Sequence, residues 1–588
     1  MRLTCNSSKS GKMYYVIRSI KRDGKRSSEV VERLGTEAEV AEKYHCSDPL
    51  AWMQEHVQEM TAAAKEAGSK KVLVPLETDA RLPLGVRNAF NIGYLFLQQI
   101  YYLLGLPSLC NRIAKRHAYT YDMDAVLSRL LYGRILFPSS KHSCFEQADR
   151  FYEQPHFELQ HIYRALSVMA GESDFLQAQL YKNSKDIVKR SDGVLYYDCT
   201  NYFFETEAEE GLKQYGKGKE HRPSPIVQMG LFMDRSGIPL AFNITPGNQN
   251  EQTTLCPLEK QIMKDFELSR FVVCTDAGLS SAANRKYNNL GERCFVTTQS
   301  IRKLEKKLRS WALAEDGWQL PGCKGFFSIK DIEDTPANRN KVFYKQRFIE
   351  GYDEERDIEF NQTLLITFSL KYKLYQQRIR GRQVERAEKL TKNPSKADQT
   401  GTNDVRRFIK RVSVTQDGEI APIRSYSLNQ AAIDKEAAFD GFYAVCTNLD
   451  DDPAAILAIN SGRWEIEESF RIMKTEFEAR PVYLKRDDRI RAHFLTCYIA
   501  LLMYRLLEHR LNGTAAGLPA GRQKYTCHEI IQTLRGMDMT RVGKDGYIPS
   551  YTRTELTDRL HELAGFRTDF CLSSEKSMRG YCRRSKGL

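Results

Sequence analysis

The 588-residue chain predicts an α/β protein built on a mixed five-stranded sheet with flanking helices. Three observations carry that expectation. The run Val194 to Phe204 has the continuous apolar character of a strand buried on both faces, yet it carries a lone acid, Asp198. The short run Phe271 to Cys274 ends at a second acid, Asp276, with Gly278 turning the chain toward a helix. Far downstream, "GRWEIEESFRIMK" reads as an amphipathic helix. At about 100° per residue, Arg463, Glu467, Arg471 and Lys474 fall within roughly 80° of one another beside an apolar stripe of Ile459, Ile466, Phe470, Met473 and Phe477.

Taken in order, "MYYVIRSIKRDGKRSSEVVERLG" reads as a hairpin turning at Arg22-Asp23-Gly24, and a helix is expected near Ala38 to Ala67, giving an N-terminal region over 1–80. Residues 81–190 are mostly helical, punctuated by Pro107 and Pro138, and form a candidate DNA-binding or dimerisation region. The first part of the core spans 191–298. There "SPIVQMGLFMDRSGIPLAFNIT" gives two strands joined at Asp234-Arg235-Ser236-Gly237, followed by a helix from about Glu251 to Phe266, the Asp276 strand, a helix near Ser280 to Asn289, and the strand "RCFVTT". Three antiparallel strands, then helix, strand, helix, strand and a late acidic helix, is the order of a ribonuclease H-like fold.

Asp276 and Glu467 lie 191 positions apart, too far for a loop, which predicts a largely β insertion domain over 299–439. Its expected strands are "GFFSIKDIE", "VFYKQRFIE" and "QTLLITFSL", followed by a basic helix and the loop "TKNPSKADQTGTND". The second part of the core, 440–510, holds the strand "DGFYAVCTN" and the Glu467 helix; 511–588 is a C-terminal helical or tail region after the linker "NGTAAGLPAGRQ".

Three carboxylates, two at strand-like runs and one on a late helix, offer the oxygen ligands that suit hard cations such as Mg²⁺ or Mn²⁺. Arg463 offers a forked phosphate donor and Lys474 a point charge. The formal net charge of +13 suits a polyanionic partner, and between Lys371 and Arg411 thirteen Lys and Arg face four Asp and Glu, a local excess of nine positive charges. Arg378, Arg380, Arg382 and Arg386 of that stretch are candidate DNA contacts. The 14 cysteines contain no C-x-x-C pair, and no Cys/His cluster has zinc-finger spacing. His493 reads as a core or capping histidine. Its helix "RAHFLTCYIALLMYRLLEHRL" is interrupted by Arg505 and has an apolar run expected to be too short for a bilayer, so no membrane is expected; the start lacks a signal-peptide core.

On "YYDCTNYFFE", "GIPLAFNITPGNQNE", "DAGLSSAANRKYN" and the Arg463, Glu467, Lys474 spacing, the chain resembles the DDE transposases of bacterial insertion sequences, specifically the type-four superfamily and its 1634-like branch, over roughly Phe90 to Leu507. That superfamily is marked by Tyr, two residues, Arg, three residues, Glu, six residues, Lys. This chain has Asn460 where the tyrosine is expected. The resemblance implies a catalytic and metal-binding triad of Asp198, Asp276 and Glu467 with two Mg²⁺ (or Mn²⁺) ions, Asp198 bridging them. It further implies DNA contacts from Arg463, Lys474 and Arg471, and cut-and-paste transposition of double-stranded DNA by a homodimer acting on terminal inverted repeats and target DNA in the bacterial cytoplasm. It also implies an insertion that helps hold a DNA hairpin with a flipped base on an aromatic ring, for which Trp311 and Trp318 are candidates, though buried core roles suit both. The alternatives are a catalytically inactive DNA-binding descendant and another nuclease of the same fold.

Overall fold

Apolar runs of Val, Ile, Tyr and Phe that cannot hide both faces alone meet in one large mixed sheet. In the computed structural model its eight strands lie in the order Phe343–Ile349, Gln362–Phe368, Phe442–Thr447, Cys294–Thr298, Val272–Thr275, Val194–Phe203, Ile226–Asp234, Pro239–Pro246. The structure describes the chain except residues 9–10, 23–24, 67–78, 80, 220–222, 393–403, 415–419, 514–523 and 544–545. The expected turn at Asp23-Gly24, most of the "TKNPSKADQTGTND" loop and most of the "NGTAAGLPAGRQ" linker lie outside the described residues.

The three strands from Val194 to Pro246 form an antiparallel meander, with Gly237 at φ +75° supplying its Asp234–Gly237 turn. The Val272–Thr275 strand pairs in parallel with both Val194–Phe203 and Cys294–Thr298. The expectation of five strands and a separate lobe over 299–439 is corrected here. Phe343–Ile349 and Gln362–Phe368 pair with each other and then with Phe442–Thr447, so part of that segment widens the main sheet. The segment "GFFSIKDIE" forms no strand; it contributes a single bridge at Phe327 and a short turn of 3₁₀ helix at Ile329–Asp331.

Opposite faces of the Val194–Phe203 strand bury into different cores. Leu195, Tyr197 and Cys199 pack with the Leu255–Asp265 helix, while Tyr196 and Tyr202 join the large core made with the helical region. The helix Asp487–Asn512 runs through that core. By length and composition it is apolar enough to cross a membrane, which corrects the expectation of too short a run, but 94% of its apolar window is buried inside the protein. His493 is buried on it with Nε2 against the Ala479 carbonyl at 3.1 Å, a core histidine held neutral by burial.

The C-terminal segment is folded. Asp538–Val542 pairs with Ala89–Asn91, and the helix Glu575–Ser585 buries Met578, Tyr581 and Cys582 and donates from Ser585 Oγ to Gln98 at 2.6 Å. Residues 1–80 form a compact unit of their own. In it Arg2–Ser8, Gly11–Arg22 and Lys25–Gly35 make a three-stranded sheet, and the expected single helix is two, Glu37–Tyr44 and Pro49–Glu66, broken at His45 with φ +51°.

Candidate active site

Parallel pairing explains why two acids 78 residues apart meet. Val194, Leu195 and Tyr196 stand opposite Val272, Val273 and Cys274, a constant offset that, carried two residues on, sets Asp198 level with Asp276 on strands about 4.8 Å apart. Asp276 lies one residue past the C-terminal end of its strand, where α/β sheets place ligands. Its Oδ1 accepts from the N–H groups of Gly278 and Leu279 at 2.9 and 3.0 Å, so the turn fixes the carboxylate and leaves Oδ2 outside those bonds.

Alternation along the Asp198 strand decides which helix covers it. Tyr196 Oη donates to the Ile459 carbonyl at 3.0 Å, Lys474 Nζ donates to Thr200 Oγ1 at 2.6 Å, and Tyr202 Oη donates to Met473 Sδ at 3.7 Å. Asp198, between Tyr196 and Thr200, shares this face, which looks onto the helix Trp464–Thr475 that carries Glu467. Gly462 lets the helix come close, because a Cβ there would lie 2.2 Å from Tyr196 Oη. A buried guanidinium locks the other side: Arg505 pairs with Glu465 of the same helix and with Glu508, and donates to the Gly237 carbonyl at 2.8 Å.

The electrostatics of the cleft are mixed by design of the fold. Burial pushes the Asp198 carboxyl up to about 6, Lys219 and Arg463 pull it down, and the charge of Asp276 pushes it further up. Lys474 is pushed down to about 8, first by burial and then by repulsion from Lys219, against attraction from Asp198. Arg463 Nη2 lies 3.7 Å from Glu467 Oε1; the arginine is largely buried and the glutamate side chain is 60% exposed. The single arginine thus acts on both Glu467 and Asp198. Among the described residues the only three metal-ligating side chains with atoms all within 4.8 Å are Asp558, His561 and Asp569, so Asp198, Asp276 and Glu467 stand further apart than that.

Two groups escaped the sequence. Lys219, in a polar loop with no motif, donates from Nζ to the Cys199 carbonyl at 2.6 Å and from its backbone N–H to Asn201 Oδ1 at 3.3 Å, placing a second lysine beside Asp198. Tyr443 presents its hydroxyl to Asn460 Nδ2 at 3.2 Å and to Thr298 Oγ1 at 2.6 Å, so a phenol stands beside the position where the motif lacks one.

Other expected DNA contacts fare differently. Arg380 makes a half-buried forked pair with Asp440, just before the Phe442–Thr447 strand. Arg378, Arg382 and Arg386 of that helix are exposed. Arg471 forks onto Glu468 at 2.7 and 2.5 Å rather than toward the acids. Trp318 is fully buried with Nε1 on the Ala314 carbonyl, a core residue, and Trp311 packs partly buried beside it with Lys345 against both rings.

Fold and site together define an α/β protein with an acid in the middle of one strand, level with an acid just past the end of its parallel neighbour, under a helix that carries both acids and cations. Residues 191–503, more than half of the chain, match the transposase DDE domain, and the chain belongs to that family. No curated protein matches it in sequence. Among solved structures it is similar to the piggyBac transposase synaptic complex with hairpin DNA, at 9% identity over 82% of this chain and 86% of that one, with a TM-score of 0.34. It is also similar to the Mos1 transposase paired-end complex with left transposon end, at 12% identity over 40% of this chain and 65% of that one, with a TM-score of 0.13. Likenesses this slight support no residue correspondence.

Proposed function

We propose that this chain is a DNA transposase of a bacterial insertion sequence, in the 1634-like branch of the type-four superfamily, with a ribonuclease H-like core and Asp198, Asp276 and Glu467 as its catalytic acids. The observation that carries this reading is the shared offset that levels Asp198 with Asp276 on the face covered by the Glu467 helix. The donor set fits hard divalent cations: carboxylate oxygens only, one of them on an acid whose proton affinity is raised by burial and, to a lesser extent, by its acidic neighbour. Two Mg²⁺ or Mn²⁺ ions bound there would stabilise charge on the attacking and leaving oxygens of an in-line phosphoryl transfer.

The remaining groups bind and orient DNA. Lys474 and Lys219, both tied to the Asp198 strand, supply point charges for phosphates at the reacting centre, and Arg463 supplies a forked donor. Tyr443 supplies the hydroxyl that Asn460 cannot. Arg378, Arg382 and Arg386 meet the backbone further out, while Arg471 is released to DNA only by leaving Glu468. The substrates are the element's terminal inverted repeats and its target DNA, engaged by a homodimer in the bacterial cytoplasm.

The test uses duplexes cloned from the DNA flanking the coding region. Asp198→Asn, Asp276→Asn and Glu467→Gln should each abolish nicking and strand transfer in Mg²⁺ while binding to the ends persists. A variant cleaving at the wild-type rate would remove that residue from the triad.

A further inference from the structure

A cavity of about 510 Å³ opens between the segment Ser139–Ser143 and the loop that follows the Glu467 helix, lined by Arg134, Lys141, Ser143, Glu478, Arg480 and Tyr483 with others. Lys141 is only 6% exposed, and among the described residues no carboxylate pairs with it. The groups acting on its charge are Arg134, which repels it, and the thiols of Cys144 and Cys497. Arg134 is equally buried and spends its donors on the carbonyls of Phe477, Glu478 and Ser139. The one acid on the lining, Glu478, is exposed and pairs with neither cation. Two buried cations side by side are costly unless a negative charge meets them, and among the described residues the protein brings none.

We propose that this cavity is a binding site for a phosphate group. Lys141 and Arg134 provide the charge, and Arg480 adds a further cation from the loop. Ser143, whose Oγ accepts from Gln147 Nε2 at 2.8 Å, keeps its hydroxyl proton to donate. The site is distinct from the carboxylate cleft. Its loop is stitched to the far end of the Asp198 strand, where the Val482 N–H donates to the Phe203 carbonyl at 3.3 Å, five residues or about 17 Å beyond Asp198. The inference stands apart from the transposase reading and does not require it.

Calorimetric titration of the full-length protein with inorganic phosphate, and separately with a short DNA duplex, tests it. Lys141→Met, which removes a buried charge and keeps the aliphatic stem, should weaken binding by about tenfold or more. Arg480→Gln, a polar change on the half-buried loop, should weaken it in the same sense and provides a second variant beside Lys141→Met. Lost affinity for inorganic phosphate identifies a free anion as ligand; affinity lost for the duplex alone identifies a backbone phosphate. Either supports the site. Wild-type protein that binds neither probe, or variants that bind both as wild type does, would overturn it and mean that Lys141 sits in the cavity as a neutral amine. Asp198→Asn run in parallel should keep the Lys141-dependent binding whatever it does to cleavage, which separates failure here from failure of the catalytic reading.

Discussion

Replacing Gly462 with alanine tests how the Glu467 helix is seated. Gly462 has φ −67° and ψ −9°, ordinary right-handed helical values, so the backbone itself would welcome alanine by about 0.5–1 kcal/mol. The added methyl, however, would sit 2.2 Å from Tyr196 Oη and 2.9 Å from Cζ. Tyr196 is buried and donates to the Ile459 carbonyl at 3.0 Å, so it cannot swing away without losing that bond. Overpacking costs about 1–3 kcal/mol and the broken hydrogen bond about 1 kcal/mol. After the propensity gain the net destabilisation is about 1–3 kcal/mol, with the Glu467 helix pushed off the sheet. Because a chain of this size need not unfold in one step, the readout is amide hydrogen exchange across Trp464–Thr475, with DNA cleavage measured alongside. Protection should fall there first, and Tyr196→Phe in the same chain should recover part of it by removing the nearest clashing atom. Unchanged or increased protection in Gly462→Ala would refute the close approach.

Three further changes probe separate claims. Glu259 is fully buried, and burial pushes its carboxyl up to about 7 against a hydrogen bond from Asn288. A raised carboxyl stabilises the folded state below its unfolded value near 4.5, and that contribution is lost as pH rises to about 7. Glu259→Gln should therefore gain up to about 3 kcal/mol on wild type in thermal melts at pH 8 and little at pH 4.5, and an equal difference at both would refute the assignment. Neutralising Arg378, Arg382 and Arg386 together should flatten the slope of log affinity against log salt by roughly 2–3, about 0.9 per phosphate contact, whereas an unchanged slope means the helix faces solvent. Lys219→Met, which removes one of several phosphate-directed cations, should weaken DNA binding slightly and slow cleavage more, and because Lys219 pulls the Asp198 carboxyl down, the acid limb of the pH–rate profile should move upward; an unmoved limb would detach Lys219 from Asp198.

What the sequence could show depended on how local each signal was. Apolar runs broken by a single acid exposed the Asp198 and Asp276 strands, and helical periodicity exposed the face bearing Arg463, Glu467 and Lys474, because both are read within a dozen residues. Strand partners are not local. Gln362–Phe368 was legible as a strand, but nothing in its residues says that it pairs with Phe442–Thr447 and so widens the main sheet instead of building a lobe. The same limit hid the fate of Arg380, whose helix looked uniformly basic until Asp440, sixty residues on, claimed it.

Lys219 shows why the chemistry of this cleft exceeds any motif. A linear pattern can hold Arg463, Glu467 and Lys474 together because one helix spaces them, but a cation arriving from a loop onto the Cys199 carbonyl has no fixed spacing to anything. Yet its effect falls on Asp198, as do those of Arg463 and Asp276. An acid pressed upward by burial and by a neighbouring carboxylate, and downward by two cations, is balanced so that its charge answers to whatever next enters the cleft. That balance is a property of three elements brought together: a parallel strand pair with a 78-residue offset, a helix admitted by the missing Cβ of Gly462, and a loop bearing Lys219. Each element is separable by substitution, so the contribution of strand pair, helix and loop to the charge of Asp198 can be measured one at a time.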